Sequence, residues 1–385
     1  VRIFVSEFIS SGALSGTLLP DSLLREGRAM LSALVGDLLA LPGCQVTTTL
    51  DRRLNGTLDH RTDDSFHVDM IDNADAARIA FERSVTEADA TLVIAPETDG
   101  ILARLVQRVH DLGSIPLNCE PAAIDLCGDK LLLAGHLAAS GIATIPTRPA
   151  PVDGGEPWEL FGTACVIKPR DGAGSWLTFG IPFGDSSAWT RATRGFATAK
   201  ACQRAILQPW IAGRALSVGC LCDDSGNVEI FPVADQHLSG NQFQYQGGRI
   251  PADIPTRSVA AIERLVRSAC ETIAGLRGYI GIDLLLPDAD PTAPLIVEIN
   301  PRLTTSYVGY RQLCDGNIAA RLLGTAVRPA LAKSSVGARS GLSNPAGING
   351  SNPDESATTP LLWKSGSVCF QAGGECRNDP RPTTG

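Results

Sequence analysis

Lysine is nearly missing from this chain. Of its 33 basic residues only five are lysine: Lys130, Lys168, Lys200, Lys333 and Lys364. Where arginine is so strongly preferred, a lysine in a special context stands apart from ordinary surface charge. An excess of positive charge is missing too. The net charge of −8 implies no basic face and argues against a nucleic-acid partner. No apolar run reaches the length of a membrane span, so no membrane association is expected. The eleven cysteines contain no CxxC pair, and zinc is not expected. Cys165, Cys220 and Cys270 sit in apolar contexts, as reduced core thiols do, which points to a cytoplasmic protein. Two nucleotide fingerprints are absent: no GxGxxG follows the first strand, and GxxxxGK[ST] occurs nowhere.

What is present is an ordinary globular composition. The 385 residues are 44% hydrophobic and 19% charged, enough for two or three domains. "VRIFVSEFIS" turns polar by Ser6 and Glu7 and reads as a first strand, not a signal peptide. Up to about residue 120 strands alternate with helices. Strands are expected at 2–9, 44–51, 90–96 and 115–119, and helices at 21–41, 74–88 and 98–112. That order predicts a parallel, Rossmann-like α/β sheet. Residues 121–205 read as a second unit. It has a helix at 128–139, a hairpin of "ACVIKP" and "WLTF" around the loop "RDGAGS", and a helix at 186–201. Residues 206–330 form a third. Strand "AILQPWI" leads into it, and "ALSVGCLCD" and "VEIFPVADQ" pair through the turn "DSGN". A loop is expected over 236–250, a helix over 256–275, strands at 279–286 and 295–300, and a last helix near 311–325. The Ser-, Gly-, Asn- and Pro-rich segment 331–385 reads as a poorly ordered tail. Within it "LLWKSGSVCF" has the pattern of a short strand without an evident partner.

The candidate site starts from "YIGIDLLL" and "LIVEINPR". If these strands pair antiparallel with Leu286 opposite Leu295, Asp283 falls opposite Glu298. Like charges so placed are destabilising, and carboxylates among Ile, Leu and Val are costly unless paired or bound to metal. Glu298 and Asn300 are two apart and share a face. Three oxygen ligands on one side of a sheet suit Mg²⁺ or Mn²⁺ shared with phosphate. Arg302 adds a fixed cation suited to a phosphoryl or carboxylate group. Taken alone, two carboxylates facing water would explain the strands as well. Lys168 ends an apolar strand beside the loop Asp171–Ser175, whose backbone N–H groups can cradle phosphate; a plain hairpin turn explains that loop equally well. Lys130 opens a helix, where a cation slightly opposes the helix dipole. Trp210, in "LQPWIAG", is either a core residue or a platform for a flat ring.

Lys130, Lys168, the glycine loop, "LQPWIAGRALSV", Asp283 and "VEINPR", in that order, resemble the signature of the ATP-grasp superfamily. The likeness covers residues 120–325, with a pre-ATP-grasp domain before it. It implies a Rossmann-like domain (1–120) followed by a two-lobed α+β domain, small lobe 121–205 and large lobe 206–330. It further implies ATP at Lys130, Lys168, Asp171, Gly172, Gly174, Ser175, Gln208, Trp210 and Ile211. Two Mg²⁺ or Mn²⁺ would sit at Asp283, Glu298 and Asn300, and Arg302 and Lys168 would take part in catalysis. The implied chemistry is a carbon–nitrogen ligation through an acyl phosphate, releasing ADP. The pattern departs at Ala215, where many members carry an acidic residue that binds ribose, and at Gln208, where glutamate is common. Loss of the ribose acid leaves open a nucleotide-sensing protein without turnover. A finer resemblance, to the tyramine–glutamate ligase family of methanofuran biosynthesis, is carried by "EFISSGAL", "LPDSLLREGRAMLSAL" and "GNQFQYQGGRIP". It implies small-molecule substrates, glutamate and tyramine or another amino-acid and amine pair. It places His237, Tyr245, Gly247 and Gly248 at the substrate, although a surface loop histidine is the favoured reading of His237. A homodimer is compatible with it.

Overall fold

The computed structural model describes residues 1–325 and 360–379, apart from 59–62, 153–154, 173, 200, 202–203 and 241. The chain opens with β1 (Arg2–Glu7), β2 (Gln45–Asp51), β3 (Phe66–Ile71), β4 (Ala90–Ile94) and β5 (Ile115–Pro116), ordered β3-β2-β1-β4-β5. Every pairing is parallel. Helices α1 (Asp21–Leu39), α2 (Ala74–Glu87) and α3 (Ile101–Asp111) connect the strands. Central β1 is buried from Ile3 onward, and a strand covered on both faces reads as a continuous apolar run. α1 buries Gly27, Met30, Leu31, Leu34, Val35 and Leu38, the three-and-four spacing of one helical face. β3 escapes a reading by apolar pattern. It lies at the sheet edge, and "FHVDMI" carries His67 and Asp69.

The expected helix at 128–139 is α5 (Lys130–Ala139), and a further helix, α4 (Pro121–Gly128), precedes it. They part at Asp129, whose carboxylate accepts from the backbone N–H groups of Leu131 and Leu132 and so caps α5. A small antiparallel sheet follows: β6 (Arg148–Pro149), β7 (Cys165–Pro169), β8 (Phe179–Ile181) and β9 (Ala205–Pro209), ordered β6-β9-β7-β8. With α6 (Trp158–Phe161) and α7 (Ser186–Thr198) it packs a core of its own, including Ile167, Ile181, Trp189, Phe196 and Leu207.

The largest sheet has eight strands. β10 (Gly213–Cys222), β11 (Val228–Ile230), β12 (Ala234–Ser239) and β13 (Gln244–Ile250) precede helix α8 (Thr256–Thr272). β14 (Gly278–Pro287) and β15 (Leu295–Asn300) follow, then helix α9 (Tyr307–Leu313), and last β16 (Val368–Gln371) and β17 (Cys376–Asn378). The order is β15-β14-β10-β12-β13-β16-β17, with β11 on β10. Three expectations are corrected here. "VEIFPVADQ" is not one strand; β11 ends before Pro232, which has no N–H for a ladder. The loop expected at 236–250 is mostly the paired strands β12 and β13. The tail is not disordered throughout: β16 and β17 form a hairpin joined to β13. The last three residues of "LLWKSGSVCF" lie in β16 and Trp363 bridges to Cys314, while residues 331–359 and 380–385 of the expected tail lie outside the described residues. The last helix starts earlier than expected, as α9, and a second runs over 318–325. Among the described residues no helix is long and apolar enough to cross a membrane.

Candidate active site

A cleft of about 620 Å³ lies between the small and large sheets. Its floor is the β14–β15 pair. Asp283 stands directly opposite Glu298, and Asn300 opposite Gly281. The expected partner of Leu295, Leu286, is off by one: Leu295 faces Leu285. A bulge beside Asp283 takes up the difference, so the carboxylate pairing holds while the strand ends slip. Asn300 Nδ2 donates to Asp283 Oδ2 at 3.3 Å, and Gln236 Nε2 donates to Asp283 Oδ1 at 2.7 Å.

Both lysines reach this floor. Lys130 is held at the start of α5 by its backbone N–H, which donates to the Arg170 carbonyl at 2.8 Å. Its Nζ donates to the Gly172 carbonyl at 2.8 Å and lies 3.2 Å from Glu298 Oε2. It is no solvated first-turn lysine: its side chain is 11% exposed. Lys168 is buried at the end of β7 and also lines the cleft. Burial lowers its pKa to about 8, against the pull of Glu298 and Asp283. Burial works to raise both carboxyls. At Glu298 the two lysines outweigh it and hold the pKa at about 2. Asp283, desolvated and facing the Glu298 charge, is driven well above the carboxylate range. A half-buried pair of opposed carboxylates beside an amide is a donor set that fits a hard divalent cation.

The glycine loop closes over the cleft. Gly174, Ser175 and Leu177 all have positive φ, at 66°, 61° and 51°. Ser175 Oγ donates to the Phe243 carbonyl at 2.8 Å. Gly172, Gly174 and Ser175 line the cleft. Asp171 does not; it pairs with Arg204 and accepts from the backbone N–H of Asp99. At the far wall, Gln208, Trp210 and Ile211 line the cleft. Trp210 is 47% exposed, so it is not a core residue. Its ring lies 5.7 Å from that of Phe243, tilted by 32°. Gln208 donates to Thr147 Oγ1 at 2.8 Å. Ala215 also faces this wall.

Arg302 lines the opposite end, its Nε donating to Glu97 Oε1 of the first domain at 2.8 Å. Tyr245 lines that cleft too. His237, Gly247 and Gly248 do not. His237 is exposed, while its neighbours Gln236 and Leu238 line the cleft. A Cβ at Gly247 would lie 2.0 Å from the Phe370 carbonyl oxygen, and one at Gly248 2.1 Å from that of Asp235. Both glycines serve close strand packing, and the structure does not bring them to the cleft lining. Sequence reasoning missed Gln236, Phe243, Glu26 and the run Thr304–Ser306, all of which line the cleft. Gln236 adjoins the singled-out histidine, and Phe243 and Glu26 lie inside the motifs "GNQFQYQGGRIP" and "LPDSLLREGRAMLSAL", whose individual residues gave no further signal.

Comparison with known proteins agrees with this architecture. Residues 127–306 match a family model described as ATP-grasp domain, and 44–124 match one described as pre ATP-grasp 3 domain. A curated protein of Methanocaldococcus fervens named tyramine–L-glutamate ligase is 23% identical over 293 residues, covering 76% of this chain and 84% of that one. Its namesake from Methanocaldococcus jannaschii is 24% identical, covering 58% of each. A crystal structure of a protein from Archaeoglobus fulgidus, titled as an ATP-grasp superfamily protein, superposes with a TM-score of 0.63 at 24% identity. It covers 85% of this chain and 89% of that one.

Proposed function

Because this chain belongs to the ATP-grasp superfamily, we propose that it is an ADP-forming carbon–nitrogen ligase that joins a carboxylate to an amine, with glutamate and tyramine as the first pair to test. The observation that carries the reading is the meeting of Lys130 and Lys168, from α5 and β7, with Glu298 on β15 across one cleft. The curated relatives' name supports the substrate pair. The reading divides the chain into a first domain to residue 120, a small lobe to 205 and a large lobe beyond.

Each group has a role in this reading. Gln208, Trp210 and Ile211 face the base of ATP. Lys130, Lys168 and the backbone of Gly172, Gly174 and Ser175 hold its phosphates. Asp283, Glu298 and Asn300 would hold a divalent cation, Mg²⁺ or Mn²⁺ and most naturally two, which when bound neutralises phosphate charge. The γ-phosphoryl group passes to a donor carboxylate oxygen and ADP leaves. Lys168 and Arg302 offset the charge on the transferring group and on the acyl phosphate. The amine nitrogen then attacks the acyl carbon. The C–N bond forms, the C–O bond to phosphate breaks with its electrons going to phosphate, and the nitrogen gives its proton to solvent. Holding both substrates against one floor supplies the rest.

The test is ADP formation with Mg·ATP, glutamate and tyramine, each omitted in turn, with mass detection of the amide. ADP and γ-glutamyltyramine formed only with both substrates are the expected result. ADP with a different pair keeps the ligase and replaces the substrates. Tight ATP binding with no ADP from any pair overturns the ligase in favour of a nucleotide sensor, the reading that Ala215 at the cleft wall favours.

A further inference from the structure

We propose that Glu26, on α1 of the first domain, binds the ammonium group of the acceptor amine at the Arg302 end of the cleft. The inference rests on the ligase reading above and adds the residue that selects a cationic acceptor. Among the described residues three carboxylates line the cleft: Glu26, Asp283 and Glu298. The last two face each other and carry the cation assignment. Glu26 stands apart and comes from a different domain.

Its environment is that of an anion waiting for a cation. Oε1 accepts from Ser22 Oγ and Oε2 from Thr305 Oγ1, each at 3.2 Å. Two hydroxyls orient the carboxylate but leave its charge uncompensated. Glu97 is the contrast: it approaches Arg302 as closely as 2.8 Å. Burial raises the Glu26 carboxyl, and Arg302 and Arg25 offset this only in part. A half-buried charge with no ion pair among the described residues is costly, and an alkylammonium would restore the balance. The position is also fixed. The next residue, Gly27, packs so closely on the first sheet that a Cβ there would lie 2.5 Å from Glu7 Oε1, so this turn of α1 sits directly against the end of β1. Tyr245 lines the same cleft and senses the charges of both Asp283 and Glu26. Tyr245 and Arg302 line the same cleft as Glu26. The bound ammonium gives one proton to the Glu26 carboxylate, and through it to solvent, before the free amine attacks the acyl carbon. The nitrogen loses a second proton after the C–N bond forms. The class of ligand is a primary amine bearing an aromatic or apolar tail.

The experiment separates the two half-reactions. Hydroxylamine, uncharged at neutral pH, traps an acyl phosphate as hydroxamate and has no ammonium for Glu26 to hold. Glu26→Gln should raise KM for the amine about 10- to 100-fold, the loss of one charge-assisted hydrogen bond. Hydroxamate formation from ATP and glutamate should stay within about twofold, which also shows that the variant is folded. Ser22→Ala removes one orienting bond and should raise amine KM by about two- to fivefold. An unchanged amine KM in Glu26→Gln overturns the proposal. So does a rise in glutamate KM instead, which would put the donor's own ammonium on Glu26, and so does equal loss of both half-reactions. Absence of hydroxamate from the unmutated protein with any carboxylate would strike the ligase reading itself, and this proposal with it.

Discussion

Asp283 and Glu298 occupy opposed positions on β14 and β15, where the fold alone would prefer apolar side chains. Their cost is offset from two sides, by Gln236 and Asn300 at Asp283 and by the two lysines at Glu298. Glu298→Gln removes one of two opposed charges and also the anion that the lysines face. These effects on stability oppose each other, so the melting temperature should move by no more than about 3 °C. Turnover should fall by about 10²- to 10³-fold, the range for losing a group that stabilises transition-state charge. ADP release alongside a thermal melt measures both, and normal turnover would remove Glu298 from the site. These residues were legible because they break local rules: carboxylates inside apolar strands, and lysines in a chain that otherwise uses arginine. Glu26 broke none. It sits among Arg25 and Arg28 on the polar side of an amphipathic helix, and only the packing of α1 against the Thr305 segment turns it into the cleft.

At the scale of elements, strands with a continuous apolar run were legible and those built on glycine were not. β14 and β15 announce themselves. β13 reads "QYQGGRI", a composition that favours loops. Its glycines are there because β12 and β16 pass so close that no side chain fits. Gly247 has φ of 122° and touches the Phe370 backbone, and Gly248 touches Asp235. The Phe370 partner lies over 100 residues along the chain, and the Asp235 partner belongs to the adjoining strand β12, so the fit leaves no local period. Gly248→Ala should therefore cost about 1–3 kcal/mol by overpacking and leave KM for both substrates unchanged in the folded protein. Denaturant melts together with steady-state kinetics decide the point. Unaltered stability with a changed KM would return Gly248 to the substrate site.

Across the whole molecule, the first domain and the large lobe are bound into one frame, while the small lobe keeps a separate core. Tyr307 Oη donates to Asp37 Oδ2 at 2.6 Å, and Arg311 pairs with the same carboxylate at 2.6 Å. The α9 segment is thus fastened to α1, the helix that carries Glu26. The C-terminal hairpin completes this frame. Val368 and Phe370 are buried in the core shared by α1 and α9. Arg249 of β13 pairs with Asp379 at 2.5 Å, with side chains only 6% and 4% exposed. The low-complexity composition around the hairpin hid it from the sequence, because its apolar residues find partners only in β13 and α9. A buried ion pair is weak evidence of net stabilisation, yet breaking one side strands a buried charge. Asp379→Ala should cost about 3–5 kcal/mol, whereas Arg249→Met with Asp379→Leu should lie near the unmutated protein. Equilibrium unfolding of the single and double variants tests this. Equal stability of Asp379→Ala would mean that the hairpin is not part of the frame holding Glu26 in the cleft; a large loss recovered by the double variant would make it so.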